Sequence, residues 1–189
     1  MRKITAGLFI SADGVVESPE QWHFKYFDAE LGAAVGALLG ASDTVLMGRT
    51  TYDVFAGTWP AVEEAGGEEA EMAKAIGDTR KIVVSHQDLS FTWRNSEQLK
   101  GELIEGVRAL KQEEGGPIGM SGSVSVVRRL LAAGLIDELH LFIHPVARGN
   151  GMRLFDESAD PIELKLLSST AFAGGTMHVV YGPASATAE

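Results

Sequence analysis

A chain of 189 residues, 45% hydrophobic and 22% charged, is long enough to bury a full core, and one domain over residues 1–182 with a frayed tail at 183–189 is expected. Acids outnumber bases 26 to 16, a net charge of -10. That sign disfavours a nucleic-acid partner, while a few arginines and helix amides can still hold a small anion. With no cysteine, disulfides, thiolate zinc and a thiol nucleophile are excluded.

Ile4–Ile10 reads as a buried strand ending in the loop signal Ser11-Ala12-Asp13-Gly14. It is too short to span a membrane and lacks a signal-peptide cleavage pattern, so a soluble cytoplasmic protein is expected, with no membrane partner. Asp28 is placed to cap a helix reaching Gly40, with Leu31, Val35, Leu38 and Leu39 on one face. Gly32, Gly36 and Gly40 recur on that helix and predict close packing. Thr44–Met47 is a second strand, and Gly48-Arg49-Thr50-Thr51 opens a helix. The Glu- and Gly-rich stretch Ala61–Gly77 predicts a solvated loop with a short helix, a mobile lid being the other reading. Lys81–Val84 is a third strand ending at Ser85-His86, followed by a short strand over Phe91–Arg94 and a helix over Glu102–Glu113. Ile118–Met120 forms a strand leading through Ser121-Gly122-Ser123 into a helix closed by Gly134. Glu138–Val146 is a further strand, and Ile162–Phe172 with Thr176–Tyr181 form a hairpin. This order predicts an α/β fold, with helices on both faces of a mixed, mostly parallel sheet and an antiparallel hairpin at the C-terminal end.

The chain has no Gly-x-Gly-x-x-Gly dinucleotide fingerprint, no phosphate loop ending in Gly-Lys-Ser/Thr, and no His-Glu-x-x-His. His140 and His144 share one strand face, but four residues separate them by roughly 13 Å, too far for one metal ion; no metal site is predicted. What remains are strand-to-helix turns rich in small residues. At Gly48-Arg49-Thr50-Thr51 the free helix amides can meet a phosphate, with Thr50 and Thr51 adding hydroxyls and Arg49 a cation. Ser121-Gly122-Ser123 repeats the pattern, and Ser85-His86 ends a third strand. Each turn alone reads equally as a helix cap; together they line one crevice at the strand ends.

Leu46-Met47-Gly48-Arg49-Thr50-Thr51 resembles the Met-Gly-Arg-x-Thr segment of dihydrofolate reductases. More fully, the chain resembles the reductase (C-terminal) domain of the bacterial riboflavin-biosynthesis bifunctional deaminase–reductase, and above all that superfamily's stand-alone members. The resemblance rests on Ser11–Gly14, Trp22–Asp28, Tyr52-Asp53 to Trp59-Pro60, Lys81–Ser85, Ser121–Ser123 and the run Leu130–Gly151 with Leu154-Phe155. It implies a three-layer α/β/α sandwich of the dihydrofolate reductase type, a homodimer, and NADPH-dependent hydride transfer to a small nitrogen heterocycle. It further implies that Gly48, Arg49, Thr50, Thr51 and Ser85 hold the adenosine phosphate end, with Arg49, Ser85 and His86 meeting the 2′-phosphate. The turn Ser121, Gly122, Ser123, Val124 is implied to lie against the pyrophosphate. Where the riboflavin-pathway reductases carry Glu-Gly-Gly, this chain has Ser121-Gly122-Ser123, so a substrate-contacting Glu of that family is missing. No deaminase domain accompanies the match.

Hydride transfer to C=N or C=O needs a proton. Asp13 is the leading candidate donor, its other reading being a turn residue; Asp28 is the second, or an N-cap. Trp22, Phe24 and Phe27 are candidates for an aromatic wall stacking on a flat substrate, or for packing. The expected activity resembles 5-amino-6-(5-phosphoribosylamino)uracil reduction, with a pterin reductase and a non-catalytic NADP-binding dimeric module as alternatives.

Overall fold

A computed structural model describes residues 1–67, 69–155 and 160–184; the last part of the expected tail, 185–189, lies outside them. The strands are β1 (Ile4–Ser11), β2 (Thr44–Gly48), β3 (Arg80–Val84), β4 (Ser96–Gln98), β5 (Ile118–Ser121), β6 (Glu138–His144), β7 (Leu164–Ala171) and β8 (Met177–Pro183). The helices are α1 (Ala29–Gly40), α2 (Arg49–Ala65), α3 (Ala70–Asp78), α4 (Leu103–Gln112) and α5 (Val124–Ala132). The strands make one sheet in the order β4-β3-β2-β5-β1-β6-β8-β7. All pairings are parallel from β4 through to β6, and β8 and β7 join antiparallel. No helix among the described residues is long and apolar enough to cross a membrane.

Alternation along β1 sorts the two outer layers. Ile4, Ala6, Leu8 and Ile10 point into the main core, where α4 contributes Val107 and Leu110, and α5 Val127 and Leu130. The opposite face, carrying Gly7 and Phe9, lies under α1 and α2. A Cβ at Gly7 would stand 2.6 Å from Leu38 Cδ2, so glycine is what lets α1 sit down on the strand. Beside it, Met47, Tyr52, Val83 and Trp93 form a second core beneath α2 and α3, with Phe55, Trp59 and Ile76 against it. The result is the three-layer sandwich that was expected.

Three local readings change. The stretch read as a solvated loop with a short helix is mostly helical, since α2 runs through Pro60 to Ala65 and α3 begins at Ala70. Pro60 cannot donate to the carbonyl of Ala56, yet packing of Phe55, Ala56 and Trp59 on the second core holds the helix across it. The strand expected over Phe91–Arg94 instead occupies Ser96–Gln98. Phe91 and Trp93 turn inward against Tyr52, with ring centroids 5.3 and 6.3 Å away. On α1 only Gly32 is closely met, by the Phe27 ring at 3.3 Å from a built Cβ; Gly36 and Gly40 face open space.

Candidate active site

The parallel strands deliver their C-terminal ends to one side of the sheet, where two helices start face to face. Gly48 is the N-cap of α2 and Ser123 that of α5; neither helix has a side-chain cap or an acidic residue in its first turn. Both therefore keep free amides and the positive ends of their dipoles. Ser123 ties the two turns together: its Oγ accepts from the Gly48 N–H at 2.9 Å and donates to Thr51 Oγ1 at 2.9 Å. Ser123 does so from a left-handed backbone, φ 54°, and Gly122 before it has φ 68°. These paired positive φ values turn the chain sharply from β5 into α5.

Between the two starts lies a recess of about 270 Å³, lined by Gly48, Arg49, Thr50 and Thr51 on one side and by Ser85 and His86 from the end of β3. Ser123, Ser125 and Arg129 of the α5 turn close it. Arg49 pairs with Asp53 one turn along α2, 3.4 Å away, and donates to Gln87. Thr51 also lines a second cavity of about 620 Å³, which continues past Ser121 and Gly122 between α1 and α2. Its walls are largely apolar: Phe9 and Phe142 from the sheet, Val35 and Leu38 from α1, Phe55 and Trp59 from α2. His23 and the exposed Glu20 are its ionisable lining residues. A small, amide-rich, cationic recess thus adjoins a large, mostly apolar one, with Thr51 lining both.

The remaining site candidates lie elsewhere. The Asp13 carboxylate accepts from Ser11 Oγ at 2.6 Å, Arg148 N at 2.9 Å and Gly149 N at 2.8 Å, and does not line either cavity. These bonds, the serine's first, hold it well below the usual carboxylate range. It clamps the loop after β6 to the end of β1 and is not placed as a proton donor. Asp28 caps α1 through Leu31 N at 2.9 Å, and its other oxygen accepts from Gly174 N at 2.8 Å. It pins the hairpin turn to the helix.

The expected aromatic wall is likewise displaced. Trp22 is buried, donating to the Glu17 carbonyl at 3.1 Å. Phe24 is 66% exposed and Phe27 44%; neither lines the cavity. The cause is local: single 3-10 turns at Pro19–Gln21 and Phe24–Tyr26 swing these rings away and leave His23 facing inward between them. Val124 packs its side chain against the main core rather than the recess.

Sequence reasoning missed His23, Phe9, Phe142, Phe55 and Trp59 as cavity residues. For Phe9 and Phe142 the signal was strand alternation, which puts them on the face opposite Leu8 and Ile10 of β1 and Leu141 of β6; His23, Phe55 and Trp59 carry no such signal. His23 is sandwiched by Phe9 (centroids 4.5 Å) and Phe24 (4.1 Å), and its Nδ1 has no hydrogen-bond partner. Burial, then the neighbouring His144, pushes its pKa below the ordinary value. The two histidines of β6 separate as the strand geometry requires. His140 Nδ1 meets His178 Nε2 at 3.0 Å, while His144 is fully buried with Nδ1 on the Phe142 carbonyl at 2.8 Å. Among the described residues no group of three or more His, Asp or Glu converges on a metal position.

Sheet order, layer arrangement and the recess at the strand ends define a three-layer α/β protein of the dihydrofolate reductase type. The RibD C-terminal domain family model matches residues 2–178, and the chain belongs to that family. The family is one of reductase-like proteins. The chain is 28% identical over 181 residues to the uncharacterized protein YyaP of Bacillus subtilis (strain 168), covering 95% of this chain and 94% of that one. A putative riboflavin biosynthesis protein from Shewanella sp. PV-4 shares the fold with a TM-score of 0.73 at 17% identity, over 95% of this chain and 98% of that one. A pyrimidine reductase-like protein from Corynebacterium diphtheriae gives 0.64 at 15%, over 96% and 91%. The Thermotoga maritima diaminohydroxyphosphoribosylaminopyrimidine deaminase/5-amino-6-(5-phosphoribosylamino)uracil reductase gives 0.66 at 16%, over 97% of this chain but 57% of that one.

Proposed function

We propose that the protein is an NADPH-dependent reductase that transfers hydride to a small nitrogen heterocycle. The observation that carries this reading is the pair of uncapped helix starts, α2 and α5, locked together by Ser123 and adjoining the apolar cavity at Thr51. The residues present suit a dinucleotide phosphate. Free amides at both helix starts and the hydroxyls of Thr50 and Thr51 can donate to its oxygens, and Arg49 and Arg129 supply charge in a chain of net negative charge.

When bound, NADPH would supply the hydride, which carries both electrons of the reduction. The protein's own part is to hold and exclude. Arg49, Ser85 and His86 line the end of the recess suited to a 2′-phosphate, Ser121 and Gly122 let a ligand pass close to the backbone, and Phe9 and Phe142 floor the cavity in which the acceptor ring lies. Apolar walls keep water from the transfer path. With Asp13 and Asp28 engaged in structural bonds, His23 and Glu20 are the titratable groups beside the acceptor, and the proton enters from the Glu20 side of the mouth. Because those two carboxylates are engaged, a non-catalytic NADP-binding module is the second reading; turnover of any heterocycle in a panel separates the two.

The reading also carries a homodimer. β7 is one of the two sheet edges and is exposed almost along its whole length, with Leu166 54% and Leu167 48% accessible, a surface suited to a second copy. Sedimentation equilibrium tests it; a monomer at micromolar concentration refutes it.

NADPH titration by fluorescence tests the central proposal, and the absence of binding at sub-millimolar coenzyme refutes it. Arg49→Ala is expected to weaken NADPH by about tenfold and NADH much less. Equal losses for both coenzymes would remove Arg49 as the reader of the 2′-phosphate.

A further inference from the structure

The two halves of the groove differ sharply in charge. Arg49 and Arg129, the cations of the combined lining, both sit in the small recess. The large cavity has no Lys or Arg in its lining, and its one charged side chain is the acidic Glu20. The residues outside the described set (68, 156–159 and 185–189) also contain no Lys or Arg, so none of them can supply the missing cation. An ionised phosphate or carboxylate entering here would lose its water to apolar walls, gain no counter-charge, and face Glu20.

The lining also favours an aromatic guest. Phe9 and Phe142 lie side by side on the sheet, with ring centroids 5.7 Å apart. Phe55 and Trp59 of α2 and Val35 and Leu38 of α1 line the same cavity. His23, held between two phenylalanine rings, presents an imidazole to the same space. A planar, weakly polar ring offers such an aromatic and aliphatic lining large contact area.

Resting on the proposed reductase reading, we propose that the acceptor is an uncharged, unphosphorylated planar heterocycle, and that the large cavity selects against anionic substituents. Both cations of the groove are then left to the coenzyme's phosphates. This sets the protein apart from an enzyme that reduces a phosphoribosylated pyrimidine, and it agrees with Ser121 standing where a substrate-contacting Glu is expected in the riboflavin-pathway enzymes.

The test compares three probes on protein first saturated with NADP⁺: pterin, pterin-6-carboxylate, and 5-amino-6-(5-phosphoribosylamino)uracil. Fluorescence of the two pterins reads their binding directly, and competition with pterin reads the pyrimidine. Pterin is expected to bind at least about tenfold more tightly than either anion near neutral pH. Val54, 61% exposed on the cavity rim, can take a cation without disturbing the core. Val54→Lys is expected to tighten the carboxylate by about threefold or more and leave pterin little changed. Equal or tighter binding of either anion by the unmodified protein overturns the proposal, as does failure of pterin to bind protein that has bound NADP⁺. Failure of NADP⁺ itself to bind refutes the reductase reading, and this inference with it.

Discussion

Ser123→Ala is the sharpest probe of how the two turns are joined. The substitution removes a half-buried hydroxyl that accepts from Gly48 N–H and donates to Thr51 Oγ1, each at 2.9 Å. The Thr51 hydroxyl can turn to solvent, so that bond is worth about 1 kcal/mol; the Gly48 amide, left without its acceptor in a half-buried site, costs about 1–2 kcal/mol more. A loss of about 2–3 kcal/mol is expected, which for a chain of this size lowers Tm by roughly 4–12 °C. Ser123→Gly loses the same two bonds but relieves the positive φ, recovering up to about 1 kcal/mol relative to alanine. Both variants free α2 to move relative to α5, and NADPH affinity is expected to fall by about tenfold in each. Urea unfolding gives the stabilities and fluorescence titration the affinities. A Ser123→Ala protein within about 0.5 kcal/mol of the parent, or one that is destabilised but binds NADPH as before, would refute this reasoning.

Other consequences follow from single sites. Asp13→Asn should leave the hydride-transfer rate unchanged while making the 146–153 loop more easily cut by protease, since the carboxylate clamps that loop and does not line the cavity; a large fall in rate with the loop intact would restore Asp13 as a catalytic group. Lys81, fully buried, donates to the carbonyls of Ile76, Gly77 and Thr79 at 3.1, 2.8 and 2.7 Å and lies 4.2 Å from the Trp93 ring centroid. Lys81→Met leaves the end of α3 without those donors, and a loss of about 3 kcal/mol is expected by urea unfolding. The pKa values of His23, His140, His144 and His178 all lie below the ordinary 6.5, with burial the largest cause in each. The native state therefore binds fewer protons than the unfolded chain below pH 6.5, and stability is lost as pH falls from there toward the lower native values. The depressed carboxylates Asp13, Asp28, Asp43 and Asp78 add their loss only below their ordinary 3.8. A urea midpoint at about pH 5.5 equal to that at about pH 7.5 would contradict the histidine assignment.

Those elements whose cause is local were legible in the chain itself. Asp28 before a helical run, Gly134 after one, and the apolar strands Ile4–Ile10 and Thr44–Met47 are signals carried by a few neighbouring residues, and each element appeared where expected. The helix starts at Gly48 and Ser123 were legible for the same reason, because a small residue between a strand and a helix constrains the backbone on its own. Alternation of strand and helix then settled the three-layer class.

Side-chain destinations in loops were decided only by the assembled structure. Trp22, Phe24 and Phe27 are as aromatic as a substrate wall needs, but two short 3-10 turns direct them to the core or to solvent and present His23 instead. Asp13 and Asp28 carry the right chemistry for proton transfer, yet backbone amides more than a hundred residues away, at Arg148, Gly149 and Gly174, claim their oxygens. The cavity walls come from β1, β6, α1 and α2, segments that no sequence spacing relates. Propensity and capping act over a turn or two of chain, which is why the sequence alone determined the elements. Hydrogen bonding and burial act between whichever surfaces the fold brings together, which is why only the tertiary structure decided which acids are engaged and what the cavity can accept.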